Sequence, residues 1–120
     1  MTDYDTHLDV KYGPLQRIDV QELADAATHP WWNQTLCRVD SSVVRLGVLQ
    51  GEYHWHQHDE DEFFLVLDGD LIIDLPEGDT IELGRRQAAV IPRGVQHRPR
   101  APVRTTVVMV EDAAVVPTGV

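Results

Sequence analysis

The stretch that decides the fold is Gly-Glu-Tyr-His-Trp-His-Gln-His-Asp-Glu-Asp-Glu-Phe-Phe-Leu-Val-Leu-Asp-Gly, residues 51–69. It contains a His-x-His pattern, His56 and His58, followed four positions later by Glu62. Alternate side chains of a strand point to one face, so the two imidazoles lie together, and Glu62 joins them if the chain bends tightly after His58. A third imidazole, His97, follows a Pro-x-Gly turn. These residues predict one pocket with three imidazoles and one carboxylate.

The order of these residues resembles that of the cupins: His-x-His, three residues, Glu, six residues, Gly, and later Pro-x-Gly-x-x-His. The resemblance spans about residues 36–111 and looks most like the small one-domain bacterial cupins of the mannose-6-phosphate-isomerase-like type. It implies an all-β fold, a double-stranded β-helix or jelly-roll barrel with one short N-terminal helix. Three features depart from the family pattern. The gap from Gly51 to His56 is one residue shorter than usual, and Arg86 and Ala101 stand where glycine and asparagine are usual.

The resemblance also implies a cofactor, one divalent transition metal held by His56, His58, Glu62 and His97. Neutral imidazoles with a carboxylate suit Fe, Mn, Ni, Co or Zn better than Ca or Mg, and the sequence does not choose among the five. Four protein ligands leave two positions of an octahedron open for a small molecule.

His54 leaves a second ligand set open. It shares the alternating face of the His-x-His pair, so His54 and His56 with Glu60 or Glu62 form an alternative. Only the set that contains His58 and Glu62 keeps the cupin spacings. In that set His54 is the candidate catalytic acid or base, since imidazole exchanges a proton near neutral pH.

The same alternation predicts the lining of a substrate pocket. Continued backward from the His-x-His pair through even positions, it adds Leu46 and Gln50, provided that no bulge intervenes. Continued forward from Glu62, it adds Phe64 and Val66. The pattern thus predicts a mainly apolar pocket for a small-molecule ligand.

Four aromatic residues are predicted to lie outside the barrel: Trp31, Trp32, Tyr53 and Trp55. Exposed aromatic side chains often cover a hydrophobic seam or an interface between subunits. With two-fold dimers the commonest oligomers, they favour a homodimer.

Composition excludes several classes of partner. The chain has 120 residues and a formal net charge of −10, and ten of its twenty acidic residues lie between Asp59 and Glu82. Nucleic acids and anionic membranes are therefore not expected as partners. A single cysteine and no apolar run of membrane-spanning length favour a cytoplasmic protein.

The chain divides by pattern into an arm with a short helix over residues 1–35, a barrel over 36–112 and a tail over 113–120. Asp19 caps the predicted helix, with Glu22 three residues on and Pro30 beyond its end. The first barrel strand is expected at Leu36. From there turn residues separate short strands into a meander, with a hairpin at Asp68-Gly69-Asp70.

Two classes of function agree with these features. The first is a small metalloenzyme, an oxygenase or an isomerase or lyase, that acts on a small organic molecule. The second is a non-catalytic module that binds a small molecule or a metal. Open metal positions favour the first class, while the lack of a further acid or base besides His54 keeps the second open.

Overall fold

The structure, a computed structural model, describes residues 4–115 and is built mainly from strands. The elements are β1 (Asp5–His7), α1 (Val20–Ala26), β2 (Trp31–Val39), β3 (Ser42–Glu52), β4 (Glu62–Asp68), β5 (Leu71–Asp74), a 3-10 turn (Pro76–Gly78), β6 (Thr80–Leu83), β7 (Ala88–Ile91) and β8 (Arg98–Asp112). Over residues 4–115, no helix is long and apolar enough to cross a bilayer. The predicted all-β class with one short helix is confirmed.

The helix forms where its cap predicts. The Asp19 side chain accepts a hydrogen bond from the backbone N–H of Glu22 at 3.0 Å, which satisfies one of the free donors of the first turn. The next strand starts earlier than expected, at Trp31 instead of Leu36. Its first residues pair with β3 and, in parallel, with β1, so the arm extends the sheet.

Strand β8 organises the barrel, because it is paired along both edges. One edge pairs with β3 from Glu52 to Ser42. The other edge pairs with β4 through its second half and with β5 through its first half. The chain therefore turns a corner between β4 and β5 and passes from one half of the jelly roll to the other.

This corner corrects the predicted hairpin at residues 68–70. Strands β4 and β5 do not pair with each other but follow one another along the same edge of β8. Gly69 has φ +93°, and a Cβ there would lie 2.5 Å from Thr105 Oγ1 and 2.8 Å from the Arg104 carbonyl oxygen. A hydrogen bond from backbone to side chain also holds the corner, since the Asp70 N–H donates to Thr105 Oγ1 at 3.0 Å. Glycine is needed at this position for two reasons: it adopts the positive φ, and it lets the backbone of the corner lie close to β8.

Replacing Gly69 with alanine should therefore cost more than the same change at Gly78. Both glycines have positive φ, where a side chain costs about 1–2 kcal/mol, but a Cβ at Gly78 meets nothing within 4 Å. The clash with the backbone of β8 should add about 1–3 kcal/mol at Gly69. Urea unfolding of the two variants measures the difference. Equal midpoints would show that close packing at the corner does not matter.

Arg86, which stands where cupins usually have glycine, has φ +67°. Its backbone N–H donates to the carbonyl of Val66 at 2.7 Å, which anchors the β6–β7 turn to β4. The departure in sequence therefore keeps the backbone conformation that glycine favours, at the expense of some strain.

Candidate metal centre

The structure brings together the four side chains predicted as ligands. One nitrogen or oxygen from each of His56, His58, Glu62 and His97 lies within 4.8 Å of the others. His56 and His97 face each other across a two-bond bridge, with N···O distances of 3.1 and 2.9 Å. A bend at residues 59–60 returns the chain from His58 to Glu62 at the start of β4. The tight bend that the spacing required is therefore present.

Each imidazole of the cluster is oriented by a backbone carbonyl two residues away. Nδ1 of His56 lies 3.1 Å from the His54 oxygen, and that of His58 lies 2.8 Å from the Glu60 oxygen. Nδ1 of His97 lies 2.9 Å from the Val95 oxygen. A carbonyl only accepts, so Nδ1 carries the proton in all three rings and a neutral ring keeps its lone pair on Nε2.

The free nitrogens converge on the carboxylate. Nε2 of His58 and of His97 lie 3.2 and 3.3 Å from Oε1 of Glu62. His97 is buried and His58 half-buried, so solvent reaches the cluster from one side. Three fixed lone pairs beside a carboxylate are the donor set that a borderline divalent metal requires, and these residues fit such an ion.

The two half-buried imidazoles, His56 and His58, differ in the direction of their pKa shifts. Burial lowers the pKa of His56 to about 4, so this ring is neutral and ready to bind. The hydrogen bond with Glu62 raises the pKa of His58 above its usual value. Burial alone would raise the pKa of Glu62, but hydrogen bonds with His58, His97 and Glu111 lower it to about 2. Glu62 is thus ionised at neutral pH.

Metal affinity should therefore fall with pH through the titration of His58 first. Bound protons compete with the metal, so affinity is lost as the pH drops below the raised pKa of His58, whereas His56 stays neutral down to about pH 4. Competition with a chromophoric chelator between about pH 8 and about pH 5 should show a dependence of about one proton. A pH-independent affinity over that range would contradict this order.

Two charged residues of the site were not found from the sequence, Arg45 and Glu111. They form an ion pair, Nε to Oε1 at 2.7 Å, with side chains 4% and 1% exposed. Glu111 is also the cross-strand neighbour of Glu62. Burial, and then the charge of Glu62, raise the pKa of Glu111 to about 9 in spite of Arg45. The sequence pattern that could have identified them is a charged residue next to apolar residues within a strand, as Arg45 is in β3 and Glu111 is in β8.

A cavity of about 430 Å³, measured with its open mouth, adjoins the cluster. Three of the four predicted ligands face it, and so does Phe64, as predicted for the pocket. The complete lining is Trp31, Asn33, Leu49, Tyr53, His56, His58, Glu62, Phe64, Pro99, Met109, Glu111 and Val115. The wall is thus mainly apolar, with a few polar atoms.

The other predicted pocket residues lie elsewhere. Leu46 is buried but does not line the cavity, Gln50 is exposed, and Val66 lies in the core on the same strand as Phe64. The reason is that β3 ends at Glu52 and the chain is irregular over residues 53–55. The pairing of β3 with β8 is also shifted by a bulge between Leu49 and Gly51, so the alternation predicted from the His-x-His pair does not extend into β3, where Leu49 lines the cavity.

His54, the candidate acid or base, is not among the side chains that line the cavity. Its ring stacks on Tyr53 with centroids 4.2 Å apart and lies 5.6 Å from the ring of His56. Its backbone carbonyl orients His56. The structure thus gives His54 a positioning contact with a ligand, and its catalytic role stays a prediction.

Two of the four aromatic residues predicted outside the barrel are in fact inside. Trp31 and Tyr53 are buried and stack on each other at the cavity, with centroids 5.3 Å apart. Trp32 packs against α1, and Trp55 is half-exposed beneath Arg98. The homodimer stays a prediction. Of the four aromatic residues on which it was based, Trp32 and Trp55 still lie outside the barrel.

Comparison with known proteins agrees with this architecture. The uncharacterized protein YdbB of Bacillus subtilis (strain 168) is 44% identical over 80 residues, which cover 66% of this chain and 71% of that protein. A cupin-2 domain containing protein from Shewanella frigidimarina NCIMB 400 superposes with a TM-score of 0.74 at 27% identity, over 79% of this chain and 93% of that one. Protein NMB1881 from Neisseria meningitidis superposes with a TM-score of 0.73 at 27% sequence identity. The superposition covers 81% of this chain and 99% of that one.

The sequence model of the cupin domain family matches residues 43–119, which include all four candidate ligands and most of the barrel. The jelly-roll topology, the corner at Gly69 and the His-x-His pattern agree with that match. The chain belongs to the cupin family.

Proposed function

We propose that this cupin binds one divalent transition metal through His56, His58, Glu62 and His97 and acts as a small metalloenzyme on a small organic molecule. The observation that carries the proposal is the set of three Nδ1 to carbonyl contacts, which leaves every ring with Nε2 for an ion. A metal in such a site supplies Lewis acidity or activates dioxygen.

The chain's own residues would do the rest. The apolar wall, with Phe64 and Met109, would exclude water and hold the organic part of a substrate. Glu111, the cross-strand neighbour of Glu62, and its ion-pair partner Arg45 would hold the Glu62 carboxylate in position. His54 would steady the His56 ring through its carbonyl.

One observation favours a non-catalytic binding module as the second candidate. Over residues 4–115, the only imidazoles that line the cavity are His56 and His58, both needed as ligands. A site without a separate proton-transfer group is better suited to binding than to acid–base chemistry.

Elemental analysis of the purified protein tests the proposal. We expect about one transition metal per chain, lost in the double variant His56→Ala/His58→Ala and retained in His7→Ala, an exposed histidine paired with Asp5. Full occupancy in the double variant would refute the site. Turnover by the Fe(II)-loaded protein with oxygen and a panel of diketones, catechols and sugar phosphates, compared with His54→Ala, separates enzyme from binding module.

A further inference from the structure

Three residues of the cavity wall carry buried polar side-chain atoms that have no hydrogen-bond partner within residues 4–115: Asn33, Tyr53 and Glu111. The Glu111 carboxyl has Arg45 as its ion-pair partner at 2.7 Å, which leaves Oδ1 of Asn33 and the hydroxyl of Tyr53, in residues 6% and 7% exposed. Both residues line the cavity beside the metal cluster. Buried polar atoms in folded proteins nearly always have partners, so two such atoms in one cavity indicate that a ligand or water completes their bonding.

The charges of the cavity wall decide what kind of group fits. Arg45 adjoins the cavity through Glu111 and is fully engaged, because it also donates to Thr35 Oγ1 at 2.7 Å and to the carbonyl of Val115 at 2.9 Å. Among the described residues, no lysine or arginine lines the cavity, whereas Glu62 and Glu111 do. The wall away from the metal cluster therefore offers nothing to balance a carboxylate or phosphate group.

The remaining chemistry matches a hydroxyl. Asn33 Oδ1 accepts a hydrogen bond, and the Tyr53 hydroxyl donates one. A ligand hydroxyl can donate to the first or accept from the second. The other walls, from Trp31, Leu49 and Phe64, are apolar.

We propose that Asn33 and Tyr53 form a recognition subsite for the hydroxyl group of a small uncharged molecule, a phenol or an alcohol, whose apolar part packs against Trp31 and Phe64. This inference deepens the proposed function and rests on it only in placing the metal cluster in the same cavity. It excludes sugar phosphates and carboxylic acids as ligands whose charged group occupies this wall.

Three probes of similar size test the subsite: phenol, toluene, which lacks the hydroxyl, and benzoate, which carries a charge. Calorimetric titration of the full chain, both metal-loaded and metal-free, should show phenol bound about fivefold or more tightly than toluene, the effect of one net hydrogen bond. In the metal-free protein benzoate should bind more weakly than phenol. Equal binding of phenol and toluene, tighter binding of benzoate there, or no binding of any probe would overturn the proposal.

Two variants and a control assign the effect to these side chains. Tyr53→Phe and Asn33→Leu should each weaken phenol binding about five- to tenfold and leave toluene binding unchanged. Tyr12→Phe, at a tyrosine outside the cavity, should match the wild type. Without ligand, Tyr53→Phe should keep or raise the urea midpoint, since it removes an unpaired buried group. A lowered midpoint with unchanged phenol binding would mean that the hydroxyl serves only the fold.

Metal content, measured on the same samples, separates this inference from the proposed function. Phenol binding that depends on Asn33 and Tyr53 in a protein without metal affinity would refute the metal site and leave the subsite standing. A full metal complement without selectivity for phenol would refute the subsite and leave the metal site standing.

Discussion

Replacing Arg45 with methionine is expected to lower the free energy of unfolding by about 3–5 kcal/mol, the usual cost of removing one partner of a buried ion pair. The side chain is 4% exposed and balances a pair of neighbouring carboxyls, Glu111 and Glu62. Without Arg45 that pair keeps a negative charge and loses the guanidinium that balances it. Thr35 Oγ1 and the Val115 carbonyl also lose a donor.

A matched variant makes the result decisive. Arg98 pairs with Asp74 at 3.0 Å, but its side chain is 29% exposed, so Arg98→Met should cost at most about 1 kcal/mol. The double variant Arg45→Met/Glu111→Leu should recover part of the loss, because it leaves the Glu62 carboxylate with its contacts to His58 and His97 and with no second carboxyl beside it. Urea unfolding of the metal-free proteins measures all three. Equal losses for Arg45→Met and Arg98→Met would contradict a buried ion pair.

His97→Ala should weaken metal binding by more than about 100-fold, beyond what the loss of an outer hydrogen-bond partner usually causes. His97 is the most buried histidine of the cluster, 1% exposed, and its Nε2 lies 3.3 Å from the Glu62 carboxylate. Competition with a chromophoric chelator measures the affinity. Urea unfolding of the metal-free variant shows whether the cavity left by the ring has destabilised the fold.

His54→Ala is the matched comparison, because it decides between the two ligand sets that the sequence left open. We expect it to retain metal within about tenfold, because His54 orients a ligand through its backbone carbonyl, which the substitution keeps. A loss as large as that of His97→Ala would instead place His54 in the first coordination sphere. The ligand set of His56, His58, Glu62 and His97 would then need revision.

The cluster of candidate metal ligands and the helix were predictable because each depends on a local sequence pattern. A His-x-His pair followed by a glutamate needs only a bend of a few residues to converge, and the Asp19 cap acts over one turn. The Pro-x-Gly turn returns His97 because the turn residues fix the backbone there, with Gly94 at φ +78°.

The rest of the site depends on information that no short segment carries. The strand alternation used to predict the pocket lining does not continue through residues 53–55. The prediction therefore included Leu46 and Gln50, which do not line the cavity, and left out Leu49 and Tyr53, which do. The pairing of Arg45 with Glu111 joins residues that are far apart in the chain. The corner at Gly69 resembles a hairpin in sequence because both need glycine with positive φ.

Strand β8 lies near the end of the chain, yet it is the partner of β3, β4 and β5. During synthesis these three strands are made before residues 98–112, so each has an edge without its β8 partner, and such an edge can pair with another chain. The contacts that close the barrel span tens of residues, which favours slow folding. Nascent chains that pause before Arg98 should therefore be the aggregation-prone species of this protein, and a chaperone that shields strand edges would act at that stage.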